Sequence, residues 1–149
     1  MAYVERKTRN QTDYFYRAHS VRFQNSVKKR RIYLGKNLTT FQLARAVRKA
    51  DQILAKQNEL EKIIHTTKHI LEKYQVQKAS IAGSFARLEQ KKTSDIDIVI
   101  QPPKNFGFAL AKIEQELEKA LKRKIDLLTY NSISPILKTQ MMQEQVQIL

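Results

Sequence analysis

Two short segments of the chain place phosphate-binding residue types close to cation-binding ones. The first is Gly83-Ser84, which follows an apolar run, and ten residues separate it from the second, Asp95-Ile96-Asp97. Side chains alternate along a β-strand, so Asp95 and Asp97 should project from the same face. A divalent cation would relieve the repulsion between two carboxylates this close, and Mg²⁺ prefers such oxygen ligands together with substrate phosphates.

The Gly-Ser segment supplies the groups that a phosphate needs. Gly83 allows the backbone to approach a phosphate closely. Ser84 adds a hydroxyl, and the following turn offers N–H donors if it opens a helix. A phosphate cradle beside metal-binding carboxylates is the arrangement used for phosphoryl or nucleotidyl transfer. The plainer alternative is a simple turn next to a solvated strand face. The apolar run 98–100 argues against it, because acids that enter a buried strand are costly unless they lie at its mouth or bind a cation.

These two segments resemble a known signature. Gly83-Ser84, ten residues and Asp95-Ile96-Asp97 are similar to the motif of the DNA polymerase β-like nucleotidyltransferase superfamily. The local forms GSFAR and SDIDIVI resemble those of its minimal nucleotidyltransferase (MNT) branch. The resemblance runs from about residue 59 to residue 149, and one departure is Leu88, where many members have glycine.

The resemblance implies a set of three catalytic carboxylates that also ligate Mg²⁺ or Mn²⁺. Asp95 and Asp97 would hold the cations that accompany the nucleoside triphosphate. Asp126, in the strand-like segment Lys124-Ile125-Asp126, would complete the second metal site and help to deprotonate the attacking hydroxyl.

The resemblance also implies a nucleotide-binding set made of Gly83, Ser84 and Arg87. Gly83 and Ser84 would hold the β- and γ-phosphates of ATP, the expected substrate. Arg87 would neutralise phosphate charge, with a structural ion pair as an equally good interpretation. Ser94 is expected to be a turn or cap residue.

The MNT branch is often the antitoxin of a pair with a HEPN-type RNase toxin, a helical protein. The resemblance therefore implies transfer of AMP from ATP to a hydroxyl of that partner protein. Two alternatives stay open: transfer to RNA or to a small molecule such as an aminoglycoside, and a binding module without catalysis. The presence of all three acids counts against the last.

Charge is distributed unevenly along the chain. The formal net charge is +14, and residues 1–50 hold 13 Lys and Arg against two acids, which gives them +11. Such a segment attracts polyanions, so nucleic acid is a candidate partner, although a well-solvated arm is an equal interpretation. The chain has no cysteine and no long apolar run, which favours a cytoplasmic protein that does not enter a membrane. The oligomeric state is left open.

The hydrophobic pattern predicts an α+β protein. Residues 1–12 are polar and are expected to be mobile. Residues 14–23 and 27–34 predict a basic β-hairpin, turned at Gln24-Asn25-Ser26 and closed by Gly35. A helical stretch follows from Thr39 or Thr40, with Thr40 as the N-cap, to Tyr74. It is either one helix or two that break at Lys56-Gln57-Asn58.

The remaining pattern predicts a small mixed β-sheet with flanking helices, the nucleotidyltransferase domain. Strands are expected at 78–82, 96–100, 125–128 and 146–149. Helices are expected at 108–122 and at 134–142, the second with Pro135 in its first turn. The predicted organisation is a basic arm over 1–36, a helical linker over 37–58 and the nucleotidyltransferase domain over 59–149.

Overall fold

The structure is a computed structural model that describes residues 2–23, 26–103, 106, 109–134, 139, 141 and 143–149. It divides into two compact units, Met1–Ala55 and Lys56–Leu149. The sequence-based boundary between residues 58 and 59 stays a prediction.

The first unit contains a three-stranded antiparallel sheet in the order β1-β2-β3. The strands are β1 (Ala2–Arg9), β2 (Thr12–Phe23) and β3 (Ser26–Lys36). The predicted hairpin is therefore confirmed as β2 and β3, while residues 24–25 of its predicted turn lie outside the described residues.

The expectation that residues 1–12 are mobile is wrong. Residues 2–9 form β1, which pairs with β2 from Ala2↔His19 to Arg9↔Thr12. The connecting residues Asn10 and Gln11 both have positive φ, 46° and 58°. Two such residues match the twist of the flanking strands, as in a tight hairpin turn. The sequence pattern did not predict β1, because most residues of this strand are polar.

Helix α1 (Thr40–Lys73) is continuous, which decides between the one-helix and two-helix alternatives. The stretch has no glycine or proline, so nothing at Lys56-Gln57-Asn58 breaks it. The predicted N-cap at Thr40 is wrong by one position. The Thr39 hydroxyl accepts the Gln42 N–H at 3.3 Å, and the Gln42 side-chain oxygen accepts the Thr39 N–H at 3.0 Å. This reciprocal pair is a capping box.

The second unit contains a four-stranded sheet in the order β6-β5-β4-β7. Its strands are β4 (Lys78–Ile81), β5 (Ile96–Gln101), β6 (Ile125–Thr129) and β7 (Val146–Gln147). Strands β5 and β6 are parallel, and the other pairs are antiparallel. Helix α2 (Gly83–Ala86) follows β4, and α3 (Ala109–Leu121) is the crossover that parallel strands require. The predicted α+β fold class is confirmed.

The core of the second unit explains why these elements pack. Side chains from the sheet, α3 and the second half of α1 form one apolar cluster that includes Leu71, Ile81, Phe85, Ile96, Ile98, Ile113, Leu117 and Ile125, all fully buried. The alternation of buried and accessible positions at the start of β5 leaves the sites between the isoleucines for polar residues. Most of the predicted helix at 134–142, including Pro135, lies outside the described residues.

No helix in the described ranges is both long enough and apolar enough to cross a membrane.

Candidate active site

Two carboxylates face each other across the parallel strand pair. Asp97 on β5 is in register with Asp126 on β6. Asp95 comes just before β5 and, two residues from Asp97, lies on the same side of the chain. The structure therefore brings together the three acids that the sequence singled out, at the N-terminal ends of β5 and β6.

The proximity of these acids changes their electrostatics. Burial raises the pKa of Asp97, and repulsion from Asp126 and Asp95 raises it further, while Arg87 and Lys124 act in the opposite direction. The negative charge on Asp97 is thus unfavourable unless a cation approaches it. A cluster of hard oxygen donors under mutual repulsion suits a divalent cation.

Gly83 lies directly against Asp97. The Ala82 N–H donates to the Asp97 carbonyl at 2.9 Å, which aligns the end of β4 with β5. Gly83 then adopts a φ of +64°, and a Cβ built on it would overlap the Asp97 carboxylate. Both the backbone conformation and the close approach require glycine here. Ser84 follows in α2 and is half-buried.

The turn after α2 contains the departure from the MNT pattern. Leu88 occupies the left-handed region at φ +58°, a conformation that glycine adopts without strain. Its side chain nevertheless packs against the apolar core, and its carbonyl accepts the Lys56 ammonium at 2.9 Å. Packing thus holds a leucine where the backbone favours glycine.

Arg87 makes ion pairs on the surface of the site. Its guanidinium donates to Glu89 at 2.8 Å and to Glu144 at 2.9 Å, and both contacts raise its pKa. Arg87 also lines, with Gly83, Asp97, Met141 and Glu144, a cavity of about 230 Å³. The ion-pair interpretation of Arg87 is what this structure displays, and a phosphate contact stays a prediction. Glu144 was missed because no motif surrounds it.

Lys124 is a second residue that the motifs did not reveal. Its ammonium lies 3.2 Å from Asp95 Oδ2 and 3.7 Å from Asp126 Oδ1, and these acids raise its pKa. The signal was present in the sequence, because residues 124 and 126 alternate with Ile125 and so share one face.

Arg123 connects the segments that carry the site. One nitrogen of its guanidinium donates to the carbonyls of Lys91, Lys92 and Ser94, at 3.4, 2.9 and 3.3 Å. The other pairs with Glu59 at 2.6 Å, and the guanidinium lies 5.4 Å from the centre of the Phe85 ring. Arg123 therefore holds the loop before Asp95 next to α2. The Ser94 hydroxyl accepts the Lys91 N–H at 2.8 Å, which fits the predicted turn role.

The arrangement does not form a closed metal cage. Among the described residues, no three His, Cys, Asp or Glu side chains are grouped as a ready set of ligands. Mg²⁺ does not need such a cage, since it is usually bound by one or two carboxylates plus substrate phosphates. Asp97 with Asp126 or Asp95 would supply that minimum, and burial together with the two neighbouring acids raises the pKa of Asp97.

The fold and the site have the arrangement of a small nucleotidyltransferase: acids on adjacent strands beside a Gly-Ser turn. The family model described as polymerase beta nucleotidyltransferase matches residues 61–149, more than half of the chain. The chain belongs to this family, and it is a nucleotidyltransferase. The family and the class of enzyme expected from the sequence are both confirmed.

Individual relatives agree with this placement. A protein of Methanocaldococcus jannaschii, named as a candidate protein adenylyltransferase, is 47% identical over 85 residues, which cover 54% of this chain and 87% of that protein. A solved structure described as a candidate minimal nucleotidyltransferase superposes with a TM-score of 0.53. It is 22% identical, covers 58% of this chain and 93% of that chain, and shows the fold alone.

Another structural neighbour is the complex of a tri-AMPylated Shewanella oneidensis HEPN toxin with its MNT antitoxin. Its TM-score is 0.44, with 25% identity over 63% of this chain and 71% of that chain.

Proposed function

We propose that this nucleotidyltransferase transfers AMP from ATP to a hydroxyl of a partner protein, and that the partner is a HEPN-type RNase toxin. The register of Asp97 with Asp126, beside Gly83, is the observation that carries the proposed site. The protein acceptor is supported by the relatives named as candidate protein adenylyltransferases, several of which match over most of their own length. The toxin is supported by the sequence resemblance to the MNT branch.

In the proposed reaction, the acceptor oxygen forms a bond to the α-phosphorus of ATP. The bond from that phosphorus to the bridging oxygen breaks, and pyrophosphate leaves with the electron pair. Asp126 takes the proton of the acceptor hydroxyl as the new bond forms. Mg²⁺ or Mn²⁺, held by Asp95, Asp97 and Asp126, would neutralise the triphosphate and the developing charge.

The remaining residues position the nucleotide. Gly83 leaves room for a phosphate against the backbone, and Ser84 offers its hydroxyl. Arg87 would exchange one of its two carboxylate partners, Glu89 or Glu144, for a phosphate oxygen. That exchange costs little at an ion pair whose arginine side chain is 39% exposed.

The test is transfer of label from ATP carrying ³²P at the α-position. The full chain is incubated with Mg²⁺ and a HEPN toxin encoded next to it. The expected result is label on the toxin and a mass increase of about 329 Da per AMP, with release of pyrophosphate. A toxin with its acceptor tyrosines changed to phenylalanine controls for the hydroxyl.

The competing acceptors are part of the same experiment. Total RNA and aminoglycosides are added in parallel reactions. Label on RNA or on the small molecule, with an unmodified toxin, would replace the proposed acceptor while keeping the enzyme class. Binding of the toxin without any transfer would instead favour the non-catalytic module.

A further inference from the structure

One face of the sheet in the first unit collects aromatic and cationic side chains. Cross-strand contacts show that they lie on the same side: Tyr16 packs on Tyr33, Lys29 lies over the ring of Tyr3, and Lys7 lies over the ring of Tyr16. We call this surface the tyrosine face, formed by Tyr3, Glu5, Lys7, Tyr16, Lys29, Arg31 and Tyr33.

Two tyrosines of the tyrosine face are exposed, and Tyr16 is half-buried. Tyr3 is 45% exposed and Tyr33 is 53% exposed. The centres of the Tyr16 and Tyr33 rings lie 5.5 Å apart, with their planes tilted by 53°. Exposed aromatic rings on a sheet surface do not contribute to the core, so burial does not account for their positions.

The charge of the face is positive after its internal ion pairs are counted. Glu5 is its one acid and lies within 4 Å of three cations, at 2.8 Å from Arg31, 3.0 Å from Lys29 and 3.9 Å from Lys7. Three positive charges against one negative leave a net attraction for anions. The same sign holds for residues 1–50 as a group, with 13 Lys and Arg against two acids.

We propose that the tyrosine face binds a single-stranded nucleic acid, with bases stacked on its rings and phosphates bound by its cations. Stacking platforms combined with basic side chains are how proteins hold single strands. Duplex bases are already stacked on one another, so a duplex could use the cations but not the rings.

The contacts between lysines and rings fit this proposal. A lysine that covers an exposed ring gains little, because water competes for its charge. A base that stacks on the same ring gains more and releases the ammonium to a neighbouring phosphate. Lys29 and Lys7 thus lie where one bound nucleotide can use both the ring and the charge.

The test measures fluorescence anisotropy of labelled oligonucleotides with the full chain. Oligo-U and oligo-dT of about 12 nucleotides are compared with a duplex of equal length, in the absence of ATP. We expect the single strands to bind more tightly than the duplex. The logarithm of the affinity should fall with the logarithm of salt with a slope near −2, about 0.7 for each of three neutralised phosphates.

Tyrosine variants separate the contribution of base stacking to affinity from the contribution of charge. Tyr33→Ala should weaken single-strand binding by about 5- to 100-fold, the loss expected for one stacked base, while Tyr33→Phe keeps the ring and should bind as the wild type does. Tyr3→Ala is a second truncation, at the edge of the sheet. Circular dichroism verifies that each variant is folded.

Two lysine variants that remove the same charge test whether the phosphates contact the tyrosine face. Lys29 lies on the tyrosine face, and Lys28, its neighbour in β3, points to the other side by strand alternation. Lys29→Gln should reduce the salt slope by about 0.7, whereas Lys28→Gln should change it less.

Equal binding of duplex and single strand, or unchanged affinity in both Tyr33→Ala and Tyr3→Ala, would overturn the proposal. The first result would mean a general polyelectrolyte contact. Undetectable binding at low salt would also overturn it. None of these measurements depends on AMP transfer, so their outcome is separate from that of the proposed function.

Discussion

Asp97 and Asp126 occupy directly opposed positions on the parallel strands β5 and β6. Residues in register on neighbouring parallel strands project to the same face with the strands about 4.8 Å apart, so two carboxylates there repel each other. The repulsion contributes to the raised pKa of Asp97. The proposed binding of a cation at this pair would offset that local cost.

Replacing Asp97 separates catalysis from stability. Asp97→Asn should lower AMP transfer by at least about 100-fold, since a group that stabilises transition-state charge is lost. The same change should raise the melting temperature in EDTA, because a buried, repelled charge is removed. Glu114→Gln, an acid-to-amide change on α3, is the matched control and should alter neither. Transfer at the wild-type rate in Asp97→Asn would remove this residue from the site.

The stability gain should depend on pH in a defined direction. The folded-state pKa of Asp97 lies above its ordinary value of 3.8, so the wild type loses stability as pH rises through that pKa. The advantage of Asp97→Asn over the wild type should therefore be largest at neutral pH and should disappear below about 3.8.

Removal of divalent cations should weaken the binding of ATP. Three carboxylates without a cation repel the triphosphate, and Lys124 and Arg87 are already paired with acids. Titration calorimetry with Mg²⁺, with Mn²⁺ and with EDTA measures the effect. We expect ATP affinity to fall by at least about 10-fold in EDTA, as neutralisation of the phosphates is lost. An equal affinity in EDTA would contradict the proposed metal dependence.

A single methyl group at position 83 should damage the site. Gly83→Ala introduces a Cβ at φ +64° and against the Asp97 carboxylate. The left-handed conformation alone should lower the free energy of unfolding by about 1–2 kcal/mol. The displaced carboxylate should reduce transfer as well. Thermal unfolding and labelled-ATP transfer measure the two effects, and a variant that matches the wild type in both would show that neither the φ nor the overlap matters.

Arg123 should act as a positioning residue. Arg123→Lys keeps the charge but cannot reach the carbonyls of Lys91, Lys92 and Ser94 while also pairing with Glu59. We expect kcat to fall by about 10- to 100-fold, the range seen when a residue that orients ligands is lost, with little change in KM for ATP. Arg45→Lys, the same substitution at an exposed arginine of α1, is the control. A rise in KM alone would assign Arg123 to nucleotide binding instead.

The first unit should have its own dependence on pH. Hydrogen bonds from Arg31 and Lys29 lower the pKa of Glu5 from 4.5 to about 2. The stability that Glu5 contributes is therefore present above pH 4.5 and is lost as pH falls toward 2. Glu5→Gln should be less stable than the wild type at neutral pH and should equal it near pH 2. Glu72→Gln, at an exposed acid of α1, should show no such convergence.

The sequence predicted the elements that are defined by the types of residue within the element itself. The apolar runs of β4 and β5, the periodicity of α1 and α3, and the Gly-Ser and Asp-x-Asp motifs all identify their elements without reference to the rest of the chain. Strand β1 was missed because its partner, β2, determines its conformation, and its own residues are mostly polar.

Most of the site residues that the motifs did not reveal were missed for a different reason. Lys124 is the exception, because its contact with Asp126, two positions away, follows from strand alternation. Arg123 and Glu144 act through contacts with residues 29 to 64 positions away along the chain. A motif records neighbours in sequence and cannot record these. The catalytic roles of Asp95, Asp97 and Asp126, and the phosphate roles of Gly83, Ser84 and Arg87, stay predictions.

Lys124 already occupies the position where a cation is proposed to bind. Its ammonium lies between Asp95 and Asp126 and already supplies them with a positive charge. In the proposed function, a divalent cation that binds these acids would displace it, so binding would be an ion exchange in which one charge leaves as two arrive. The lysine side chain is 64% exposed and can move into water at little cost. In the proposed site, the arrival of a divalent cation would therefore replace one positive charge by two.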